Sequence, residues 1–370
     1  MPARDLKATR YSAAYRKRLD KGWEDFVEWL AESNELVGAR TFEKNPPLAC
    51  NLLSKYVQHL YEKDPAKSTT DARHTLLAAQ KRFESLKGKL GPAWEVVESW
   101  RQESPGSLRN PIFLPAVLAM AVVGRMLAEV NEGPGGYFWM SFSILLEAAF
   151  FGLMRPVEFL TLLRSGVSLP GHMLGNAARY AICTIHNPKN RRQLGRTQFA
   201  VVRSVNSSEW LRWLCQDLDD SERLWPGTAK LFRKMFRQVC EILGMCASNF
   251  VPASLRAGGA TYMFMYNVDP SRIKYYGRWS SERSLGHYLQ ESLTHQLAHT
   301  LPLVSQKLIS LVLGEGKDLL VPPCVTCASL YPRPASGGSL VSKLARAAAV
   351  PAPRLNEVRT GAWKALYPEP

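Results

Sequence analysis

From Tyr137 to Met154 the chain is apolar except for Glu147 and two serines. A helix of that composition has no polar face to turn toward water, so protein or lipid must enclose it. Its length is marginal for a membrane span, and it runs straight into the charged residues Arg155 and Glu158. The segment therefore predicts a buried helix at the centre of a large core. A chain of 370 residues has room for that core and for a second domain. With 46% hydrophobic and 10% aromatic residues, the composition is that of a globular protein and excludes a disordered one.

The formal net charge is +15, which calls for a polyanionic partner. Nucleic acid is the commonest such partner, and charge alone would also fit an anionic membrane surface. Its distribution says more than its sum. Residues 1–104 hold 18 basic and 15 acidic side chains, close to balance. Between Glu158 and Glu209 there is no acidic residue, yet Arg164, Arg179, Lys189, Arg191, Arg192, Arg196 and Arg203 fall there. A solvated surface mixes signs, so this stretch reads as a face held against phosphates. The seven cysteines are scattered and odd in number, and no secretory signal opens the sequence. The expectation is a reduced, intracellular protein, nuclear if its source is eukaryotic.

The first hundred residues read as helices. Trp23, Phe26, Val27, Trp29 and Leu30 share one helical face, and Leu52, Leu53, Tyr56, Val57, Leu60 and Tyr61 a second. A third carries Leu76, Leu77, Phe83, Leu86 and Leu90 and is expected to end at Gly91-Pro92; a fourth carries Trp94, Val97 and Trp100. Residues 102–107 (QESPGS) are the best linker candidate. Helices follow near 111–131 and 137–151. Two strands, 178–186 and 197–203, flank a polar connection containing NPKNRRQLG. Helices resume near 208–218, 227–244 and from Ser254, and Asp269-Pro270 supplies an N-cap and first position for a helix ending near Gly277. The expected fold is mainly α with a small β-sheet or hairpin: a helical domain over 1–104, a mixed α/β domain over 105–314 and a proline- and glycine-containing tail over 315–370. No internal repeat is visible.

The chemistry concentrates in two places. Arg155 stands three residues before Glu158. A hundred residues later A-S-L-R occupies 253–256, Trp279 lies 23 residues after Arg256, and Tyr288 nine after Trp279. Two arginines, an indole and a tyrosine can be assembled to cut a phosphodiester without a metal. The planar guanidinium donates two hydrogen bonds at once and stays charged, which suits it to the oxygens of a pentavalent phosphorus.

These motifs carry a resemblance. Residues 110–290 resemble the catalytic domain of the tyrosine recombinases of the phage-integrase type, on R-x-x-E at Arg155 and Glu158, L-R-x-x-x-A-T from Leu255 to Thr261, and G-R-W…Y ending at Tyr288. The helical region before it is similar to that family's core-binding domain, and the SLRAGGAT wording resembles recombinases of eukaryotic mobile elements (crypton-like or DIRS-like). The resemblance implies an N-terminal core-binding domain and a catalytic domain that together clamp duplex DNA. It further implies site-specific integration, excision or inversion through a 3′-phosphotyrosine, with no metal or other cofactor, no membrane, and a synapse of four copies. Tyr288 would attack, Arg155 and Arg256 would clamp the phosphate, and Trp279 would donate its indole N–H where the family often has histidine. Lys189, in the turn between the strands, would protonate the leaving 5′-oxygen in preference to Arg191 or Arg192, whose pKa values are too high for a good acid. Glu158 would support its turn or an arginine. Arg191, Arg192 and Arg196 in the acid-free stretch, and Arg16, Lys17 and Arg18 at the start of the first domain, are candidates for phosphate contact. A helix after Tyr288, through Leu301, Leu303, Leu308 and Leu311, would dock on a neighbouring copy.

One departure stands out. The family usually places histidine or lysine three residues before the second arginine, and here that position is Ala253. Alanine can neither accept a proton from Tyr288 nor bond a phosphate oxygen. Two readings follow, cleavage slowed or cleavage lost while DNA binding persists; a type IB topoisomerase-like enzyme that relaxes DNA is a further alternative. Of the competing tyrosines Tyr262, Tyr275 and Tyr276, the last two are expected to pack. Gly258-Gly259 reads as a close helix contact and not a phosphate loop. Cys324, Cys327, His295 and His299 have no standard zinc-finger spacing.

Overall fold

The computed structural model describes residues 12–33, 38–105, 109–131, 133–171, 179–186 and 188–322, apart from the side chains of Ala39 and Arg192. The chain forms two compact units, Met1–Ser107 and Leu108–Pro370.

The first unit holds α1 (Ala13–Glu32), α2 (Ala39–Lys44), α3 (Pro46–Lys63), α4 (Thr70–Arg82) and α5 (Gly91–Glu103). Ser12 caps α1 by accepting from the Tyr15 N–H at 3.2 Å, and Asn45 caps α3 from Leu48 at 3.2 Å. Phe26, Phe42, Leu53, Tyr56, Leu76 and Trp100 meet in one core. The third helix differs from expectation. It ends at Arg82, where Phe83 turns to extended backbone, and a 3₁₀ turn (Glu84–Leu86) carries Leu86 into the core. Gly91-Pro92 does not end that helix but opens α5, because proline in a first turn sacrifices an N–H that has no partner there.

In the second unit α6 (Leu114–Val130) packs along α7 (Pro134–Phe151), and every residue of α7 from Gly135 to Phe150 is buried. The expected central helix is therefore enclosed by protein. Its one charge is satisfied on both sides: Arg125 Nη2 donates to Glu147 at 2.5 Å and Ser207 Oγ donates to the other oxygen at 2.8 Å. Among the described residues no single helix is long and apolar enough to cross a membrane.

After α8 (Pro156–Leu160) come β1 (Val167–Ser168), β2 (Ala181–His186), the short α9 (Arg191–Leu194) and β3 (Thr197–Val202). They form an antiparallel sheet in the order β1-β2-β3, with Cys183 opposite Ala200 and His186 opposite Thr197. Ala181, Cys183 and Ile185 alternate inward, as a half-buried strand requires. α10 (Val205–Cys215) lies on α7, and α11 (Ala229–Ile242) buries Phe232, Met235, Phe236, Val239 and Cys240 along one stripe.

α12 (Ser254–Met265) approaches so closely that only glycine fits at two successive positions. A Cβ on Gly258 would strike the Ile112 carbonyl, and one on Gly259 the Phe150 carbonyl. Gly258→Ala should therefore cost about 1–3 kcal/mol of stability, read as a lower urea midpoint at unchanged slope. Then follow α13 (Pro270–Gly277), capped by Asp269 through the Ser271 and Arg272 N–H groups, α14 (Glu282–Gly286), α15 (Glu291–His299) and α16 (Leu303–Glu315).

α16 lies on α6 of its own chain. Leu308 and Ile309 are buried, and Ser305 Oγ donates to the Gly244 carbonyl at 2.9 Å. The helix expected to dock on a neighbour also covers its own core, because one apolar stripe matches a face of α6 that would otherwise be wet, and it leaves Leu303 and Val304 exposed. The chain stays attached past 315: a 3₁₀ turn (Lys317–Leu320) is held by Arg125 Nη1 on the Leu319 carbonyl at 2.8 Å and Trp210 Nε1 on the Leu320 carbonyl at 3.1 Å. The remaining expected tail, 323–370, including Cys324 and Cys327, lies outside the described residues.

Candidate active site

Arg155, Glu158, Arg256, Trp279 and Tyr288 come together around the end of α7. Gly152 closes that helix, and Leu153 follows with φ of 48°, a left-handed conformation rare for a branched side chain. The strain turns the Leu153 carbonyl inward, where it accepts from Arg256 Nη1 and, at 3.3 Å, from Arg278 Nη2. Arg155 caps α8. Its N–H meets Glu158 Oε2 at 2.8 Å and its Nη1 meets Oε1 at 2.6 Å.

Arg256 is buried on the first turn of α12. Its Nη2 donates to the Gly277 carbonyl, and its guanidinium stacks 4.1 Å from the Trp279 ring centre. Both Nη groups are thus engaged within the chain, so Arg256 presents its charge to the site more than free donors. Trp279 folds back over its own turn, and a Cβ on Gly277 would land on its ring. The Tyr288 ring is half-buried, 5.1 Å from the Trp279 ring and 5.8 Å from the Arg256 guanidinium. Thr261 fixes its backbone by donating to the Tyr288 carbonyl at 2.8 Å.

The sequence leaves a further charged residue of the site unmarked. Arg278, at φ 59° and buried, donates Nη2 to Glu158 at 2.7 Å. The letters G-R-W quoted it, but only the left-handed backbone that carries its side chain inward shows its part. Three guanidiniums therefore surround one carboxylate. Burial alone would raise the Glu158 pKa, but Arg278, the Arg155 N–H and side chain, and Arg256 outweigh it and hold the carboxyl below its usual range. Burial, then the like charges of Arg155 and Arg278, push the Arg256 pKa down. A cluster with three cations, one anion and unpartnered Nε groups on Arg256 and Arg278 favours a further anion.

Lys189 is exposed in the connection after β2. It lines, with Glu158, Thr161, Thr184 and His186, a cleft of about 180 Å³. Arg191 and Arg196 are exposed nearby, and Arg192 lies in α9 with its side chain outside the described set. Arg16, Lys17 and Arg18 are exposed on α1, where Arg16 and Lys17 share a face with Asp20, Glu24 and Glu28. Ala253 is half-buried ahead of α12, and the adjacent Ser254 Oγ is occupied by the Val251 N–H at 3.2 Å. Tyr276 packs beneath Arg203 at 3.5 Å, whereas Tyr275, expected to pack, is 80% exposed and meets the Tyr276 ring edge-on at 6.1 Å.

No protein-family profile and no curated protein matches the sequence. Among solved structures, the Tn1549 transposon integrase in complex with transposon right end DNA is similar at a TM-score of 0.51 and 10% identity, covering 78% of this chain and 95% of that one. The fold is shared with that integrase. XerA recombinase is matched at a TM-score of 0.37 and 14% identity, over 76% of this chain and 98% of its own. At these identities the likeness concerns the fold: a mostly helical chain with a small three-stranded antiparallel sheet.

Proposed function

We propose that this chain is a site-specific DNA recombinase that cuts and rejoins duplex DNA through a 3′-phosphotyrosine. The observation that carries the reading is the cluster of Arg155, Arg256 and Arg278 around the single carboxylate of Glu158, with the Tyr288 ring beside it. Its surplus positive charge suits a scissile phosphate, whose charge grows as the tyrosine oxygen adds. Tyr288 Oη gives up its proton to solvent water, since Ala253 cannot take it, and forms the new P–O bond; the P–O5′ bond breaks, and Lys189 supplies the proton that the departing oxygen needs. The phosphodiester energy is kept in the protein linkage, so a free 5′-hydroxyl can reverse the step without ATP. The exposed arginines of the strand connection would contact the flanking backbone. Strand exchange would join four copies on two duplexes.

Trapping tests this. Duplex fragments from DNA flanking the gene, nicked so that the cleaved end diffuses away, are incubated with the full chain at fixed ionic strength, since phosphate contacts are salt-sensitive. A covalent protein–DNA adduct is expected, and its absence on every fragment would remove the cleavage claim. A second reading, DNA binding with weak cleavage, is favoured by Ala253 alone. Ala253→His should then raise the single-turnover cleavage rate about ten- to a hundredfold by supplying a base; an unchanged rate would mean that the gap is no handicap.

A further inference from the structure

The turn Gly277-Arg278-Trp279 touches both Arg256 and Glu158, and one of its contacts reaches the connection that carries Lys189. Asn190, half-buried, donates Nδ2 to the Arg278 carbonyl at 2.7 Å across 88 residues of sequence. Its Oδ1 accepts from Gln198 Nε2 at 3.2 Å, and Gln198 is itself buried and reaches the Gly195 carbonyl at 3.5 Å. The N–H groups of Gln193 and Leu194 close on the Asn190 carbonyl at 3.0 and 3.1 Å. Asn190 therefore starts α9, receives β3 and ties both to the arginine turn. Its neighbours Lys189 and Arg191 are exposed. A carbonyl faces the Asn190 side chain, so the atom there must be the amide nitrogen.

The left-handed backbone of Arg278 lets one residue serve two directions. Its carbonyl goes to Asn190, while its guanidinium goes to Glu158. One residue earlier, the Gly277 carbonyl holds Arg256, and one later the Trp279 ring lies against it. Whatever places the arginines thereby also places the strand connection.

We infer that Asn190 is a positioning residue, setting Lys189 against the phosphate site through the Arg278 carbonyl. The inference rests on Lys189 being the proton donor of the proposed reaction. Losing the tether keeps the lysine in the chain but lets the connection that carries it drift, and a displacement of about 1 Å in an acid can cost on the order of a hundredfold.

The leaving group separates this role from plain support. Expelling a 5′-oxygen needs a proton, whereas a 5′-sulfur leaves as a thiolate and needs none. The duplex recovered by trapping is therefore made in two forms, with oxygen or with sulfur at the bridging 5′ position. On the oxygen form Lys189→Ala should lose about 10²- to 10⁴-fold in cleavage rate, and Asn190→Ala roughly ten- to a hundredfold. On the sulfur form both should return to near wild type, while Arg256→Ala stays slow on both. If Asn190→Ala misfolds, Asn190→Asp keeps the size, removes the donor and should show the same pattern. An Asn190 variant equally slow on both forms, or as fast as wild type on both, overturns the positioning role while leaving Lys189 untouched. Failure of sulfur to rescue Lys189→Ala would instead remove Lys189 as the acid and the inference with it.

Discussion

Tyr288→Phe is expected to abolish the covalent adduct, lowering cleavage by about 10⁴-fold or more, as loss of a nucleophile does. The substitution removes one oxygen. The ring would still sit 5.1 Å from Trp279, and Thr261 would still hold the backbone carbonyl, so fold and DNA affinity should be unchanged. That combination is the useful one: binding by gel shift equal to wild type, with no protein–DNA linkage. An adduct that survives the change would move the nucleophile elsewhere, and the exposed Tyr275 and Tyr266 are the tyrosines to examine next. Equal loss of binding would show that the hydroxyl serves the fold.

Glu158→Gln should have the largest effect on stability. The Glu158 side chain is 2% exposed and pairs with Arg155 at 2.6 Å and Arg278 at 2.7 Å. Removing one partner of a buried ion pair strands the other, at about 3–5 kcal/mol. The pH dependence follows from the direction of the Glu158 shift. Its folded pKa lies below the ordinary carboxylate value, so the unfolded chain takes up the proton first as pH falls. The stabilisation is complete above the unfolded pKa and fades as pH drops through the lowered folded one. Urea midpoints of wild type and Glu158→Gln should therefore differ most near neutrality and converge in acid. A gap that stays constant down to pH 3 would assign the loss to packing instead of charge.

Much of the fold was legible because its signals are local. An eighteen-residue run with one charge can only be enclosed, and α7 is. Strand alternation around Cys183 and the Asp269-Pro270 cap likewise needed nothing distant. Gly91-Pro92 misled because such a pair marks a boundary without saying which side is helical. The spacing of Arg256, Trp279 and Tyr288 pointed to a cluster, and their rings and guanidinium do meet. Arg278 and Asn190 stayed invisible for a different reason. Their parts depend on a left-handed backbone and on a hydrogen bond between residues 88 positions apart, neither of which leaves a periodic trace. The docking of α16 on its own chain was equally hidden, since an apolar stripe announces a partner but not whose it is.

The grip on Leu319 and Leu320 is a grip on main chain. Arg125 and Trp210 each donate to a carbonyl, and neither bond depends on what side chain the residue carries. Anchorage of this segment is therefore written in the receiving helices, in Arg125 with its counter-ion Glu147 and in the indole that Arg125 covers at 4.2 Å. The stretch that is held can change its letters freely, while the two residues that hold it cannot.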